Sequence, residues 1–113
     1  MGSIQHLTES EKQALRHFID QVSARFAGDY RYSLLFGSKA RGDFHAHSDI
    51  DVAVIVSSLD FKKKCEIIDI ASDEMLATDI EISPLVFAED DFLRKKQGKS
   101  PIILEVERDM VLL

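Results

Sequence analysis

The sequence predicts a small domain of alternating helices and strands built round a sheet. The alternation by itself leaves the class open between α+β and parallel α/β. Two observations carry this. Apolar residues switch repeatedly between helical and strand periodicity along the 113 residues, and the stretch Phe36 to Val56 reads as strand end, glycine turn, loop and second strand. A chain of this length has room for one domain, residues 1–113, and one modest core.

The elements follow in order. Thr8 and Glu11 form a capping-box pair, and Leu15, Phe18, Ile19, Val22 and Phe26 then recur at helical spacing, which predicts a first helix from about Glu9 to about Phe26, ended by Gly28. A strand from Tyr30 to Phe36 runs into Gly37, where the backbone turns and Ser38 to Arg41 open a short helical turn closed by Gly42. The loop Asp43 to Ser48 contains His45 and His47. With no third ligand nearby, that pair reads as a solvent- or substrate-facing loop rather than a transition-metal site. In the second strand, Asp49 to Val56, the carboxylates Asp49 and Asp51 share one face, while Ile50, Val52, Val54 and Val56 share the other.

Ser57 and Ser58 are cap residues for a second helix, about Leu59 to Leu76. Its apolar face is read from Phe61, Cys65, Ile68, Ser72 and Met75, widened by Ile67, Ile70 and Ala71, so Cys65 is expected to be a buried thiol. A third strand, about Asp79 to Phe87, sets Asp79, Glu81 and Ser83 against Ile80 and Ile82, and Pro84 places it at a sheet edge or ends it early. Glu89 to Lys96 forms a short helix, acids first and bases last, stopped by Gly98. Ser100 and Pro101 open a last helix through Val106, and Val111 to Leu113 is a small strand or a partner contact.

Composition narrows the functional classes. Hydrophobic content of 45% with 30% charged residues suits a soluble protein, and neither a membrane span nor a signal peptide is evident. The single Cys65 excludes an internal disulfide, so a cytoplasmic location is expected. A net charge of −6 argues against strong nucleic-acid binding and favours a basic protein partner.

The chemistry lies between Gly37 and Asp51. Two carboxylates on one strand face stand roughly 6 to 7 Å apart. Such a pair calls for a divalent cation with a taste for oxygen, and Mg²⁺ is commonly shared with phosphates. The glycine turn, the Ser38 hydroxyl and the Arg41 guanidinium suit the phosphates themselves.

Gly37-Ser38, ten residues, Asp49, one residue, Asp51 resembles the signature of the DNA polymerase β-like nucleotidyltransferases, and in particular their minimal members, often encoded beside a HEPN-domain protein. The resemblance decides for the α+β class: a small mixed sheet with helices on one face and the active site on the other. It implies transfer of AMP from ATP to a hydroxyl, with two Mg²⁺ ions held by Asp49, Asp51 and a third acid on the third strand. Glu81 matches that position best, although relatives usually carry aspartate there, and Asp79 is the alternative. Gly37, Ser38 and Arg41 would bind the nucleotide. The implied partner is a HEPN ribonuclease toxin, silenced in a hetero-oligomer by adenylylation of a tyrosine. A binding-only antitoxin, or an enzyme acting on a small-molecule hydroxyl, are the rival readings.

Overall fold

A computed structural model describes residues 2–42 and 49–113. The expectations for the loop that holds His45 and His47 lie outside the described residues.

The order along the chain is a 3₁₀ turn (Ile4–His6), α1 (Glu9–Arg25), β1 (Tyr30–Phe36), α2 (Ser38–Arg41), β2 (Ile50–Val56), α3 (Phe61–Thr78), β3 (Ile82–Ala88), α4 (Glu89–Gln97), α5 (Pro101–Asp109) and β4 (Val111–Leu112). The strands form one mixed sheet in the order β3-β2-β1-β4. β1 runs antiparallel to both β2 and β4, whereas β2 and β3 are parallel and are joined through α3. Val111 and Leu112 thus resolve as a strand, and Pro84 sits on an edge strand as its missing N–H requires. Among the described residues no helix is long and apolar enough to cross a membrane.

Strand alternation sorts the core into two layers. Leu35, Val52, Val54 and Val56 point to one face, where Phe18 and Val22 of α1 and Ile67 and Ala71 of α3 cover them. Phe36, Ala53, Ile55 and Phe87 point to the other, beneath Phe92 of α4 and Ile103 and Val106 of α5. The α+β class and mixed sheet are as expected, but helices flank both faces rather than one. The reason is that Ala53, Ile55 and Phe87 are apolar and would otherwise face water. Phe87 and Phe92 anchor that second layer with ring centroids 5.3 Å apart.

Local signals explain most boundaries. Thr8 Oγ1 accepts from the Glu11 amide at 3.1 Å, and the Thr8 amide donates to Glu11 Oε1 at 2.9 Å, completing the capping box of α1. α3 starts later than Ser57 and Ser58 suggested, because Asp60 takes the N-cap, its carboxylate accepting from the Lys63 amide at 2.7 Å. β3 begins at Ile82 rather than Asp79. Asp79 instead ends α3 in the left-handed conformation, φ 62°, its amide donating to the Met75 carbonyl at 2.8 Å.

The buried line of α3 also differs from the expected one. It is Ile67, Ala71 and Glu74, while Phe61, Ile68 and Met75 stay exposed and Cys65 is only half-buried. Each row carries apolar residues and one polar one, Glu74 or Ser72, and the two lie about 100° apart round the helix, so composition could not choose between them. What settles the choice is Glu74, which is buried and hydrogen-bonded to the His17 ring on α1.

That pair makes stability depend on pH. The hydrogen bond and charge of Glu74 raise the His17 pKa above its ordinary 6.5. Protonated His17 therefore contributes stability that is complete below 6.5 and is lost as pH rises through the raised folded value. Thermal unfolding followed from pH 6 to 9 should show a midpoint falling across that window, and His17→Gln should flatten the fall.

Candidate active site

The site forms where β1 ends and β2 begins. Phe36 and Asp51 are cross-strand partners, so the residue after Phe36 must pass directly beside the Asp51 side chain. That residue is Gly37, at φ 77° and ψ −161°. A Cβ placed there would lie 2.3 Å from Asp51 Oδ2. Glycine is required on both counts, conformation and space, and the carboxylate packs against bare backbone. The chain then enters α2, whose Ala40 and Arg41 amides return to the Gly37 carbonyl at 3.1 Å each.

α2 is short, and three separate elements hold it. The Ser3 amide donates to the Ala40 carbonyl at 3.0 Å. Lys39 is buried and places Nζ 2.7 Å from Glu11 Oε2 on α1. Burial pushes the Glu11 carboxyl up, but hydrogen bonds from Lys39 and from the Thr8 amide outweigh it, leaving the group below the ordinary carboxylate value. Arg41 Nη1 donates to Asp109 Oδ2 at 2.7 Å, and Asp109, at the end of α5, is itself buried.

The electrostatics single out Asp51. Burial raises its pKa, and the nearby charges of Asp49 and Glu105 raise it further, with Arg41 opposing. Asp51 is thus half-buried, with the carboxylates of Asp49 and Glu105 near enough to act on it electrostatically. Their hard oxygen donors fit a divalent cation such as Mg²⁺ better than a soft transition metal.

The sequence-derived residues fall into two groups. Gly37, Ser38, Arg41 and Asp51 gather round the β1–α2 turn, with Asp49 one residue before β2. Glu81 lies just before β3, where its carbonyl accepts from the Ile50 amide at 3.0 Å, which places it alongside Asp49 on the neighbouring strand. Its side chain is exposed, and among the described residues no three His, Cys, Asp or Glu side chains converge into a metal cage. Asp79 caps a helix, which sets it outside the strand that would have carried it. Sequence reasoning missed Glu105, Asp109 and the Glu11–Lys39 pair. For Asp109 a signal existed: Ile103, Val106 and Asp109 fall at helical spacing, so an acid stands on the buried stripe of α5.

The site is a glycine turn beside paired carboxylates, set at the junction of an antiparallel strand pair. Residues 27–112 match the family described as Polymerase beta, Nucleotidyltransferase, and the chain belongs to it. It is a minimal nucleotidyltransferase. Two proteins of Methanocaldococcus jannaschii named as protein adenylyltransferases are similar to it. One is 36% identical over 96 residues, covering 84% of this chain and 90% of the relative; the other is 33% identical over 86 residues, covering 76% and 82%.

Solved structures share the fold. A toxin-antitoxin MntA-HpeT crystal structure superposes with a TM-score of 0.55 at 20% identity, covering 83% of this chain and 68% of that one. A toxin-antitoxin crystal structure with AMP-PNP gives 0.57 at 21%, covering 84% and 68%. A Sulfolobus solfataricus protein named as a nucleotidyltransferase gives 0.53 at 18%, covering 97% and 90%.

Two outcomes test this geometry. Gly37→Ala should displace the Asp51 carboxylate and lower nucleotidyl transfer about 100-fold or more while the circular dichroism spectrum is kept, since displacements near 1 Å have that effect. Lys39→Met removes one partner of the Glu11 carboxylate, which is partly exposed and keeps the Thr8 amide, and should cost about 1 to 2 kcal/mol in chemical denaturation. A variant as stable as the parent would show that α2 is not held through this pair.

Proposed function

We propose that this chain is an antitoxin that adenylylates its toxin: with Mg²⁺ it transfers AMP from ATP to a tyrosine hydroxyl of a cognate HEPN ribonuclease, in the cytoplasm, and neutralises it. The observation that carries the reading is the Asp51 carboxylate seated against Gly37, with Asp49 beside it, at the mouth of the α2 turn. Relatives named as protein adenylyltransferases support a protein acceptor, and toxin-antitoxin neighbours of the same fold support a toxin as that protein.

In this reading the Gly37 and Ser38 backbone and the Ser38 hydroxyl receive the β- and γ-phosphates, and Arg41, steadied by Asp109, adds positive charge at their flank. Asp49, Asp51 and Glu81 would hold Mg²⁺, which when bound neutralises the triphosphate and lines up its phosphates. Glu81, on the β3 side, faces the acceptor. Its carboxylate takes the proton as the tyrosine oxygen bonds to the α-phosphorus, and the bond from that phosphorus to the pyrophosphate oxygen breaks. Pyrophosphate leaves and adenylyl-tyrosine remains. No side chain of this chain needs to become covalently attached, and alignment with charge stabilisation supplies the rate.

The test is the intact mass of the HEPN protein after incubation with this chain, Mg²⁺ and ATP. One or more adenylate additions are expected, confined to tyrosine. Asp49→Ala and Asp51→Ala should each reduce the rate about 100-fold or more, and Glu81→Gln should lower kcat with little change in the KM for ATP. A HEPN partner that is bound and inhibited yet unmodified would sink the proposal and leave steric blocking in its place.

A further inference from the structure

Asp51 stands between two neighbouring strands, and the two are not equivalent. Its cross-strand partner is Phe36 of β1 on one side and Ser83 of β3 on the other, each strand about 5 Å away. Paired residues show their side chains on the same face of a sheet, so Ser83 shares the face of Asp51. The glycine turn continues from Phe36, which gives the phosphates and the departing pyrophosphate the β1 side. An in-line displacement brings the attacking oxygen in opposite the leaving one, and that is the β3 side.

A cavity of about 300 Å³ opens there, at the free edge of β3, between Ile68 and Met75 of α3 and the run from Glu81 to Pro84. Its volume falls at the small end of the roughly 300 to 1,000 Å³ of binding clefts. Two features leave it open to a side chain. Ile68 and Met75 are 41% and 43% exposed, so the outer wall is not sunk in the core. Glu81 bonds to β2 through its carbonyl, so alternation along the strand turns Pro84 outward, where its missing N–H denies a partner strand a donor.

The lining specifies the chemistry of the occupant. Ile68, Met75, Ile82 and Pro84 are apolar, and the Ser72 hydroxyl is turned back to the Ile68 carbonyl at 3.1 Å. Polar character enters with Glu81 and with Ser83, the neighbour of Asp51. Apolar walls with a carboxylate at one end match a side chain that is apolar along its body and hydroxylic at its tip. A phenol ring has that form, whereas serine and threonine are too short to cover the walls.

We propose that this cleft receives the ring of the acceptor tyrosine, with Ile68 and Met75 the residues that select it. The assignment rests on the adenylyl-transfer reading above and adds the direction of approach. The tyrosine oxygen bonds to the α-phosphorus from the Ser83 side, its proton passes to Glu81, and the bond from that phosphorus to pyrophosphate breaks on the Gly37 side.

Two measurements on the full chain test this. With the HEPN protein as acceptor, Ile68→Asn and Met75→Gln should each raise the KM for that protein about tenfold and leave the KM for ATP as it was, and Met75→Leu should keep the parental value of both. Both side chains lie outside the core, so the circular dichroism spectrum is expected to be kept. The second measurement needs no transfer. In a chain with methyl-labelled methionine followed by NMR, N-acetyl-L-tyrosinamide should shift the Met75 methyl resonance saturably and leave that of Met110 in place, and N-acetyl-L-serinamide should shift neither. A rise in the KM for ATP in place of the acceptor would assign the cleft to the adenine base and overturn the inference, as would a Met75 methyl indifferent to the tyrosine amide. A HEPN protein left unmodified by the parental chain would instead overturn the functional reading, and the Met75 methyl would then decide for or against the cleft on its own.

Discussion

The contact between the Gly37 backbone and the Asp51 carboxylate is the constraint on which the rest of the arrangement depends. It exists because two antiparallel strands set Phe36 opposite Asp51, so the chain leaving β1 has no path except past that side chain. Only a residue without Cβ fits, and only one free to adopt φ 77° can then turn into α2. Whatever α2 presents to a phosphate is therefore registered against the Asp51 carboxylate by covalent geometry. The surrounding structure keeps that registration. Glu11 and Asp109, from different elements, hold Lys39 and Arg41, so a four-residue helix gains a rigidity that its own hydrogen bonds would not give.

The sheet supplies the platform. β2 is central, antiparallel on one side and parallel on the other, and its apolar residues serve both layers of the core. Asp51 is half-buried because α5 covers part of that second layer, and the same burial, with Asp49 and Glu105 nearby, makes its ionised form costly without a cation.

Much of the fold was legible in the sequence where a pattern was local. The capping box at Thr8 and Glu11, strand β1, the glycine turn and the edge position of Pro84 each rest on residues within a few positions of one another. The carboxylates and the turn could be paired for the same reason, through their fixed spacing. Legibility stopped where partners are distant. Glu74 carries no local signal of burial because its partner His17 lies 57 residues away, so the sequence offered nothing to choose the buried face of α3. The second helical layer was missed because Ala53, Ile55 and Phe87 meet Ile103 and Val106 only in three dimensions. Strand alternation gives the face a side chain is on but not its distance from others, so the sequence could not say that among the described residues Glu81 forms no three-carboxylate group with the two aspartates.

The Arg41–Asp109 ion pair closes a loop of 68 residues, and the Ser3–Ala40 hydrogen bond closes another from the opposite direction. Contacts of such sequence separation carry a loop-closure cost that local helices and hairpins avoid, so they form late as the chain collapses. Secondary structure and most of the core would be assembled before α2 is clamped. Catalytic competence should consequently trail the recovery of helical signal during refolding, which makes activity the stricter gauge of a completed native state.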